Sequence, residues 1–289
     1  MADYALVDLD QRPDLAPRVL SMFAAAGPGP GHVVCGIPPR MGLEPGAGDL
    51  AATLGVLIAL SGRRIAGVLA VCPYSAEQVT LWGPLIPDPR EQPRVLPLLV
   101  QEVRQALREG NYASMRAPVD QRNRTLRAWL LAAGFQPWKD FHCYEHELVG
   151  HRHADLGPVQ VAARDDFEAV ARVLQACFPD SDHCRVSLVQ RENEGYRHYL
   201  LRDGGQVVGA AAVQAGGRRS WLKLIGIDPA ARGRHLSRAL LAGILAAEAK
   251  LNHQRIGLEV FADNRPAIAL YERAGFLRAW TASLLVAPA

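Results

Sequence analysis

The sequence predicts two consecutive copies of a mixed α/β domain. The first observation is a repeated segment: residues 123–135, which begin with Asn and end with Gly-Phe, recur as residues 264–276. The second is that other landmarks recur at nearly the same offset of 141 or 142 residues, as Gly67 does at Gly209. The third is the length of 289 residues, which suits two domains, since a single domain has about 100–200 residues.

We expect a first domain over residues 1–150 and a second over residues 156–289. The join is placed in the polar stretch 149–158, which contains Gly and His and separates two strand-like segments. In each half, strands and helices alternate after an early hairpin, which predicts a mostly antiparallel mixed sheet flanked by helices.

The second copy begins with alternating elements. A short strand is followed by a helix that Asp165 would cap, because apolar side chains recur at helical spacing from Phe167 to Phe178. Two strands then flank the turn sequence Asp-Gly-Gly at 203–205. The predicted strands are 159–163, 198–202 and 207–214.

In the rest of the second copy, strands and helices alternate strictly. Residues 221–227 are almost all apolar, which predicts a central strand buried on both faces. The Ala- and Leu-rich segment 237–250 predicts a helix, and a second helix is capped by Asn264 and stopped by Gly275. The remaining predicted elements are the strand 255–261, the helix 265–274 and the strand 276–286.

The first copy follows the same pattern. Its predicted strands are 54–60, 79–86, 112–117 and 141–148, and its predicted helices are 94–107 and 124–133.

Composition excludes several classes of function. A chain that is 49% hydrophobic and 21% charged is ordinary globular protein, and a net charge of +3 does not indicate a nucleic-acid surface. No apolar run is long enough to cross a bilayer, and residues 1–10 carry acids where an export signal would carry basic residues. We therefore expect a cytoplasmic protein with no nucleic-acid or membrane partner.

Metal and disulfide sites are not expected either. The five cysteines are scattered without a Cys-x-x-Cys pair. His142, His146, His151 and His153 lie close in sequence, but the first two would stand roughly 13 Å apart on a strand. This spacing does not suit a shared ion.

The segment 226–241 predicts a site for an anion. A strand is followed by an Arg-Gly turn and then by a helix, so the unpaired N–H groups of the first helical turn point at one place. The helix dipole favours negative charge there. Arg232, Arg234 and Arg238 surround this corner with positive charge. A phosphate is the ligand that such a corner would bind.

Two motifs in this half resemble the GCN5-related N-acetyltransferase (GNAT) superfamily. Its members carry Arg/Gln-x-x-Gly-x-Gly/Ala at this turn, and Arg232 matches the first position. The second motif follows as Leu258-x-Val260-x-x-x-Asn264, continued by Tyr271 and Gly275-Phe276. The resemblance covers residues 207–276 and, through the repeat, extends in degenerate form over the first half, as in tandem-domain members.

The resemblance implies acetyl-CoA as cosubstrate. Arg232 and the main-chain N–H groups of the following turn would hold its pyrophosphate, and Ile225, Gly226 and Ile227 would pair with its pantetheine arm. Ile227 would also be catalytic, by offering its N–H to the thioester oxygen. The implied pyrophosphate-binding residues are Arg232, Gly233, Arg234, His235, Leu236 and Ser237.

The second motif implies two further roles. Asn264 would lie near the cofactor arm while capping its helix. Tyr271 would be both a cofactor contact and the general acid that protonates the departing thiolate. A phenol suits this role because its ordinary pKa is close to 10, so it carries a proton at neutral pH.

Three positions depart from the superfamily pattern. The two later glycines of the turn motif correspond to His235, which would crowd the phosphate or donate to it, and to Ser237, which is small. The central strand carries Lys223 and lacks the glutamate that many members use as a base. The base is therefore unassigned, and the candidates are Glu259, Glu194, His198, His183 and a chain of water molecules.

The first copy lacks this chemistry. After Pro87 comes Asp-Pro-Arg-Glu-Gln-Pro, with no Arg-Gly turn and with prolines that remove N–H donors. Leu130 stands at the position equivalent to Tyr271. We expect this half to keep the fold without the catalysis.

The predicted function is transfer of an acetyl group from acetyl-CoA to a primary amine by direct attack, in the second domain. The amine would belong to a small molecule or a peptide, and the resemblance also allows a homodimer. The alternative is a non-catalytic acyl-CoA-binding sensor or scaffold protein, which the histidine at 235 and the missing glutamate favour.

Overall fold

The computed structural model describes residues 3–26, 47–149 and 158–289. In chain order the elements up to residue 149 are β1 Ala5–Asp8, α1 Ala16–Ala25, α2 Ala47–Ala51, β2 Gly55–Ser61, β3 Arg64–Pro73, β4 Gln78–Leu85, α3 Gln92–Glu109, β5 Ser114–Asp120, α4 Arg124–Ala132 and β6 Gln136–Glu147. From residue 158 they are β7 Val159–Val161, α5 Phe167–Cys177, α6 Arg185–Asn193, β8 Tyr196–Asp203, β9 Gln206–Gly216, β10 Arg219–Ile227, α7 Leu236–Lys250, β11 Arg255–Phe261, α8 Arg265–Arg273 and β12 Leu277–Pro288.

These elements form two compact units. The first contains the described residues up to Phe141 together with Trp280–Ala289, and the second contains the described residues of His142–Ala279. The units divide at Phe141, before the expected join, most of which lies outside the described residues. The last ten residues also belong to the first unit, where the sequence had assigned them to the second domain.

The two units have the same strand order. In the first unit β1, β2, β3 and β4 are antiparallel neighbours, β5 lies parallel to β4, and β12 lies antiparallel to β5. In the second unit β7, β8, β9 and β10 are antiparallel neighbours, β11 lies parallel to β10, and β6 is next to β11. The final strand of each repeat thus lies beside a strand of the other repeat, β12 beside β5 and β6 beside β11, which a self-similar sequence does not reveal.

Caps and turns repeat between the units. The side-chain oxygens of Asn123 and Asn264 accept from the main-chain N–H three residues later, at 3.2 and 3.3 Å. Gly134 and Gly275 end the two helices with φ of 91° and 87°, a conformation that glycine adopts without strain. These features confirm the predicted starts and stops of α4 and α8.

Two sequence expectations were wrong in detail, and one helix of the second unit was not predicted. Asp165 does not cap α5, because a 3₁₀ turn over Arg164–Asp166 precedes the helix and Asp166 accepts from the N–H of Ala163. The strand β10 is not buried on both faces, since Lys223 is exposed and the next three residues are half-buried. The helix α6 was missed because its surface is largely polar and Leu188 is its one buried residue.

Each unit has a core on either side of its sheet. In the second unit, one cluster lies between the sheet and the helices α7 and α8, and another lies beneath α5 and α6. Among the helices of the described residues, none is long and apolar enough to cross a membrane.

Candidate active site

The strands β10 and β11 pair over only part of their length. Their parallel register runs from Arg219 opposite Arg255 to Leu222 opposite Leu258, and no pair beyond it occurs in the described residues. A bulge at Lys223 interrupts the register of β10 with β9 at the same point. Bulges bend a strand, so the end of β10 turns away from β11 and its edge is left open there.

Main-chain groups of β10 face this open edge. The N–H of Asp228 donates to Val208 on β9 at 2.8 Å, and successive residues of an antiparallel strand alternate in direction. The N–H groups of Ile225 and Ile227 therefore point away from β9. In agreement, the oxygen of Ile227 accepts from side chains outside the sheet, the thiol of Cys177 and Nε of Arg232.

The turn after β10 is held by its own residues. Asp228 accepts from the N–H of Ala230 at 3.0 Å, which fixes the 3₁₀ turn Pro229–Ala231. Gly233 has a φ of 82°, and His235 has a φ of 60° in the left-handed region. A side chain there is strained, which explains why glycine is the usual residue at this position of the motif.

The helix α7 begins at Leu236 without a side-chain cap. The N–H of Arg238 donates to the oxygen of the N-cap residue at 3.1 Å, whereas those of Leu236 and Ser237, which line the cavity described below, have no partner within the helix. The N-cap residue His235 also lines that cavity. The positive end of the helix dipole and several donors therefore meet at one place, as an anion requires.

The arginines around this corner differ in direction. Arg232 lines the cavity, and its Nε donates to the oxygen of Ile227 at 3.2 Å. Arg234 pairs with Asp203 at 2.6 Å and does not line the cavity. Arg238 is exposed on α7 and is likewise outside the lining.

The helix α8 supplies the opposite wall. Asn264 caps it, and Tyr271 lies two turns further along, 6% exposed, with its ring 5.8 Å from that of Phe276. Burial raises the pKa of Tyr271 to about 12. The raised pKa keeps the phenol protonated at neutral pH; Tyr271 lines the cavity, and its hydroxyl bonds to no described residue.

The C-terminal end of α5 forms a third wall that the sequence did not reveal. Cys177 and Phe178 line the cavity, and a Cβ built on Gly226 would lie 2.6 Å from the sulfur of Cys177. Glycine at 226 is thus what allows α5 to approach the strand. Burial raises the pKa of the Cys177 thiol. No local signal marks these residues, because their role depends on where α5 packs.

Together these walls enclose a cavity of about 540 Å³ within the second unit. The structure brings to it every residue that the sequence named as catalytic or cofactor-binding except Arg234. Those present are Ile225, Gly226, Ile227, Arg232, Gly233, His235, Leu236, Ser237, Asn264 and Tyr271. Their roles stay predictions.

The candidate bases do not line this cavity. His198 is buried with Nε2 3.2 Å from the oxygen of Leu188, and burial lowers its pKa. His183 is buried with Nδ1 3.1 Å from Arg191, and burial lowers its pKa to about 4. Glu194 is exposed at the end of α6.

Glu259 has a different position. It is half-buried and directly follows the last residue of β11 that pairs with β10. Alternation along the strand puts it on the face opposite Leu258 and Val260, which are buried with α7 and α8. Burial raises the pKa of the Cys143 thiol on β6, and the charge of Glu259 adds to this rise. The carboxylate of Glu259 is therefore close to Cys143.

The first unit has a different corner. Its helix α3 has Glu91 as N-cap residue, with a side chain that is 13% exposed. Arg64 and Tyr4 hold the Glu91 carboxylate at 2.6 and 3.1 Å, and the ion pair with Arg64 lowers its pKa. The carboxylate of Glu91 therefore lies at the start of α3, whereas the equivalent start of α7 has unpaired main-chain N–H groups. Pro93 also removes a donor from the first turn.

A metal site was not predicted, and among the described residues no His, Cys, Asp or Glu side chains cluster in a way that could hold an ion. His151 and His153 lie outside the described residues.

Comparison with known proteins places the match in the second unit. The profile of the Acetyltransferase (GNAT) family matches residues 167–276. The N-alpha-acetyltransferase RimI of Mycobacterium tuberculosis is 35% identical over 136 residues, which are 43% of this chain and 82% of that protein. The mycothiol acetyltransferase of Clavibacter sepedonicus is 40% identical over 78 residues, so the match spans 27% of this chain and only 26% of that relative.

Solved structures share the fold over nearly the whole chain. A GCN5-related N-acetyltransferase from Sphaerobacter thermophilus aligns with a TM-score of 0.77 and 17% identity, over 99% of this chain and 95% of that one. A tandem GNAT protein from the clavulanic acid biosynthesis pathway aligns with a TM-score of 0.71 and 17% identity, over 99% and 98%. The fold is therefore that of tandem GNAT proteins, as the repeat predicted. From the RimI relative and the matching profile, the chain belongs to the GNAT family of acetyltransferases.

Proposed function

We propose that the second unit transfers an acetyl group from acetyl-CoA to a primary amine. The observation that carries this proposal is the cavity itself, in which the open edge of β10, the uncapped start of α7 and the hydroxyl of Tyr271 meet. The family profile matches this unit. In the first unit, the N-cap residue of α3 is the negatively charged Glu91, which would repel a phosphate.

In this proposal acetyl-CoA binds along the cavity. The main-chain N–H groups from Gly233 to Ser237 and the guanidinium of Arg232 hold the pyrophosphate. Ile225 and Ile227 pair with the pantetheine arm as an added strand would, because their N–H groups face the open edge. One of these N–H groups donates to the thioester oxygen and stabilises the negative charge that develops on it.

The reaction is a direct attack. The neutral amine nitrogen bonds to the thioester carbon, the C–S bond breaks, and coenzyme A leaves as the thiol. Tyr271 donates a hydrogen bond and then a proton to the sulfur. Its raised pKa makes the tyrosinate that is left behind a strong base, so solvent reprotonates it, while the proton that the amine loses goes to the base and from there to solvent.

Glu259 is the base that the geometry favours. It directly follows the last residue of β11 that pairs with β10, where the two strands separate, and it lies on the opposite face of the strand from Leu258 and Val260. His183 and His198, in contrast, are buried. It would take the amine's proton directly or through a water molecule. The acceptor class remains the primary amine, and the RimI relative makes the α-amino group of a peptide the first one to test.

Titration calorimetry with acetyl-CoA tests the binding step. Ser237→Glu adds a negative charge in the first turn of α7, which the helix dipole tolerates but a pyrophosphate does not. We expect it to abolish binding without unfolding the protein. The control, Arg94→Glu, places an acid at an exposed position in the first turn of α3, and this variant should still bind one acetyl-CoA per chain.

Thiol release tests the chemistry, over a panel of small amines and of peptides with a free α-amino group. Release with any of them supports acetyl transfer. Binding of acetyl-CoA without release over the whole panel would favour the sensor or scaffold instead. Two sites per chain, or loss of binding in the Arg94→Glu control, would contradict the assignment to the second unit.

A further inference from the structure

The second unit contains a buried network of charged and polar side chains between β8 and α7. The carboxylate of Glu248 is fully buried and accepts from the guanidinium of Arg197 at 2.9–3.2 Å. The hydroxyl of Tyr199 donates to it at 2.5 Å, and Nδ1 of His253 lies 2.7 Å from it. These four side chains fill the space beneath the C-terminal half of the helix.

The first unit has an equivalent helix end. The N–H of Tyr112 donates to the oxygen of Leu107, as the N–H of His253 donates to the oxygen of Glu248. The residue before each donor has a positive φ, 58° and 62°. Leu107 therefore occupies the position of Glu248, and Tyr112 occupies that of His253.

The strands show the same equivalence. Leu57 is opposite Leu69 on the neighbouring strand, and Tyr199 is opposite Ala211; in both pairs of strands the register shifts two residues further along. Leu57 thus corresponds to Tyr199. Two residues earlier, Gly55 corresponds to Arg197, so the first unit has no side chain where the second has a guanidinium on an aliphatic stem.

These replacements leave a cavity of about 410 Å³ in the first unit, lined by β1, β2 and α3. Its walls are mainly aliphatic, with the side chain of Leu54 half exposed. Its charged groups are the carboxylates of Asp8 and Glu102, and no lysine or arginine is among the described residues that line it. The volume is that of ordinary small-molecule sites, which have about 300–1,000 Å³.

Asp8 is placed to receive a cation. A Cβ built on Gly55 would lie 3.1 Å from its Oδ2, so this oxygen borders the space that a side chain at 55 would enter. The other oxygen, Oδ1, accepts from the N–H of Asp10 at 2.9 Å, while Oδ2 accepts from no described residue. A carboxylate with a free oxygen beside an apolar cavity favours a positively charged group on an apolar stem.

We propose that the first unit binds a small organic cation in this cavity, an alkylguanidinium or alkylammonium. The ligand would occupy the space that the side chain of Arg197 fills in the second unit and that Gly55 leaves open in the first. The aliphatic stem packs on Leu57 and Leu107, and the charged head pairs with Asp8 and Glu102. This site is separate from the proposed acetyl-CoA cavity, and its occupancy does not depend on acetyl transfer.

The test is a titration of the whole chain with n-butylguanidinium, followed by protein-detected NMR. Its neutral isostere, n-butylurea, is the control ligand. We expect the cation to bind at least tenfold more tightly than the urea, because a charge-assisted hydrogen bond contributes about one to two orders of magnitude in affinity. The amide chemical shifts of Gly55, Leu57 and Tyr112 should change on binding. Equal binding of the two ligands would overturn the proposal.

Two variants locate the site. Gly55→Arg should supply the cation from within the chain, so it should abolish butylguanidinium binding and raise Tm. The double variant Asp8→Asn, Glu102→Gln should weaken binding at least fivefold, whereas Glu77→Gln, which removes a charge away from the lining, should not. Undiminished binding in both the Gly55→Arg and the double variant would place the ligand elsewhere and overturn the proposal.

Discussion

Nε of Arg232 donates to the main-chain oxygen of Ile227 at 3.2 Å. The bond fixes the guanidinium to the end of β10, beside the residue whose N–H faces the open edge. The remaining guanidinium N–H groups can then meet a phosphate without a large loss of side-chain entropy. This pair of residues thus links the anion corner to the strand that would carry the pantetheine arm.

Arg232→Ala should weaken acetyl-CoA binding about tenfold, as expected for loss of one charge-assisted contact. Arg234→Ala is the matched control, because Arg234 pairs with Asp203 outside the cavity; it should change the Kd by less than twofold. Calorimetry with each variant measures the difference. If the two variants lost affinity equally, a general effect of positive charge would explain the result better than a contact.

Tyr271→Phe should lower kcat tenfold or more and leave the Kd for acetyl-CoA nearly unchanged, because the hydroxyl acts on the leaving thiolate. Steady-state kinetics with thiol detection measure both quantities. Tyr74→Phe, at an exposed tyrosine of the first unit, is the control and should match the wild type. Equal turnover in the Tyr271 variant would refute its role as acid.

The raised pKa of Tyr271 predicts a specific pH profile. The protonated phenol is the active form, and its pKa of about 12 keeps it protonated up to about pH 11. Activity should therefore rise with pH as the amine and the base lose protons, with no fall due to Tyr271 below about pH 11. A descending limb between pH 8 and 10 that disappears in Tyr271→Phe would contradict this.

His235 sits in the left-handed region, so the size and branching of its replacement should decide stability. His235→Val should lower the free energy of unfolding by about 1–2 kcal/mol, because β-branched residues fit this conformation poorly. His235→Gly should be at least as stable as the wild type. Urea unfolding measures both. Equal stability of the Val and Gly variants would show that the turn relaxes to another conformation.

Glu248→Gln should destabilise the second unit strongly. The substitution leaves the Arg197 cation without its counter-charge, and breaking a buried pair costs about 3 kcal/mol or more. Chemical denaturation measures the loss. Glu109→Gln, at an exposed residue of α3 whose carboxylate accepts from Gln105 and from no other described side chain, is the control and should change stability by less than about 0.5 kcal/mol. A similar small effect at Glu248 would mean that the network contributes little.

Local patterns predicted the elements well where residues of special conformation mark them. Asn264 and Gly275 define α8, and the pair Gly204-Gly205, both with positive φ, joins β8 to β9. The same patterns failed for α6, which has too few apolar positions to signal a helix, and for Asp165, where two adjacent acids left the capping residue ambiguous.

The residues of the anion corner could be predicted because a strand, a turn and a helix start are contiguous in sequence. Arg234 shows the limit of that inference. Its place in the motif suggested a cofactor contact, but its side chain reaches Asp203, a residue that neighbours it only through folding. Cys177 and Phe178 were missed for the converse reason, since their place in the cavity depends on the packing of α5 against Gly226.

The sequence by itself determined the duplication, the order of strands and helices from β8 onward, and the segments that carry Arg232 and Tyr271, because these depend on spacing along the chain. It did not predict β1, α1 or α6. Tertiary structure alone decided that β6 and β12 each lie beside a strand of the other repeat, that β10 opens after Lys223, and that one unit has a buried ion pair where the other has a cavity. Strand pairing and side-chain packing join residues that are distant in sequence, and local periodicity contains no information about which partner each one meets.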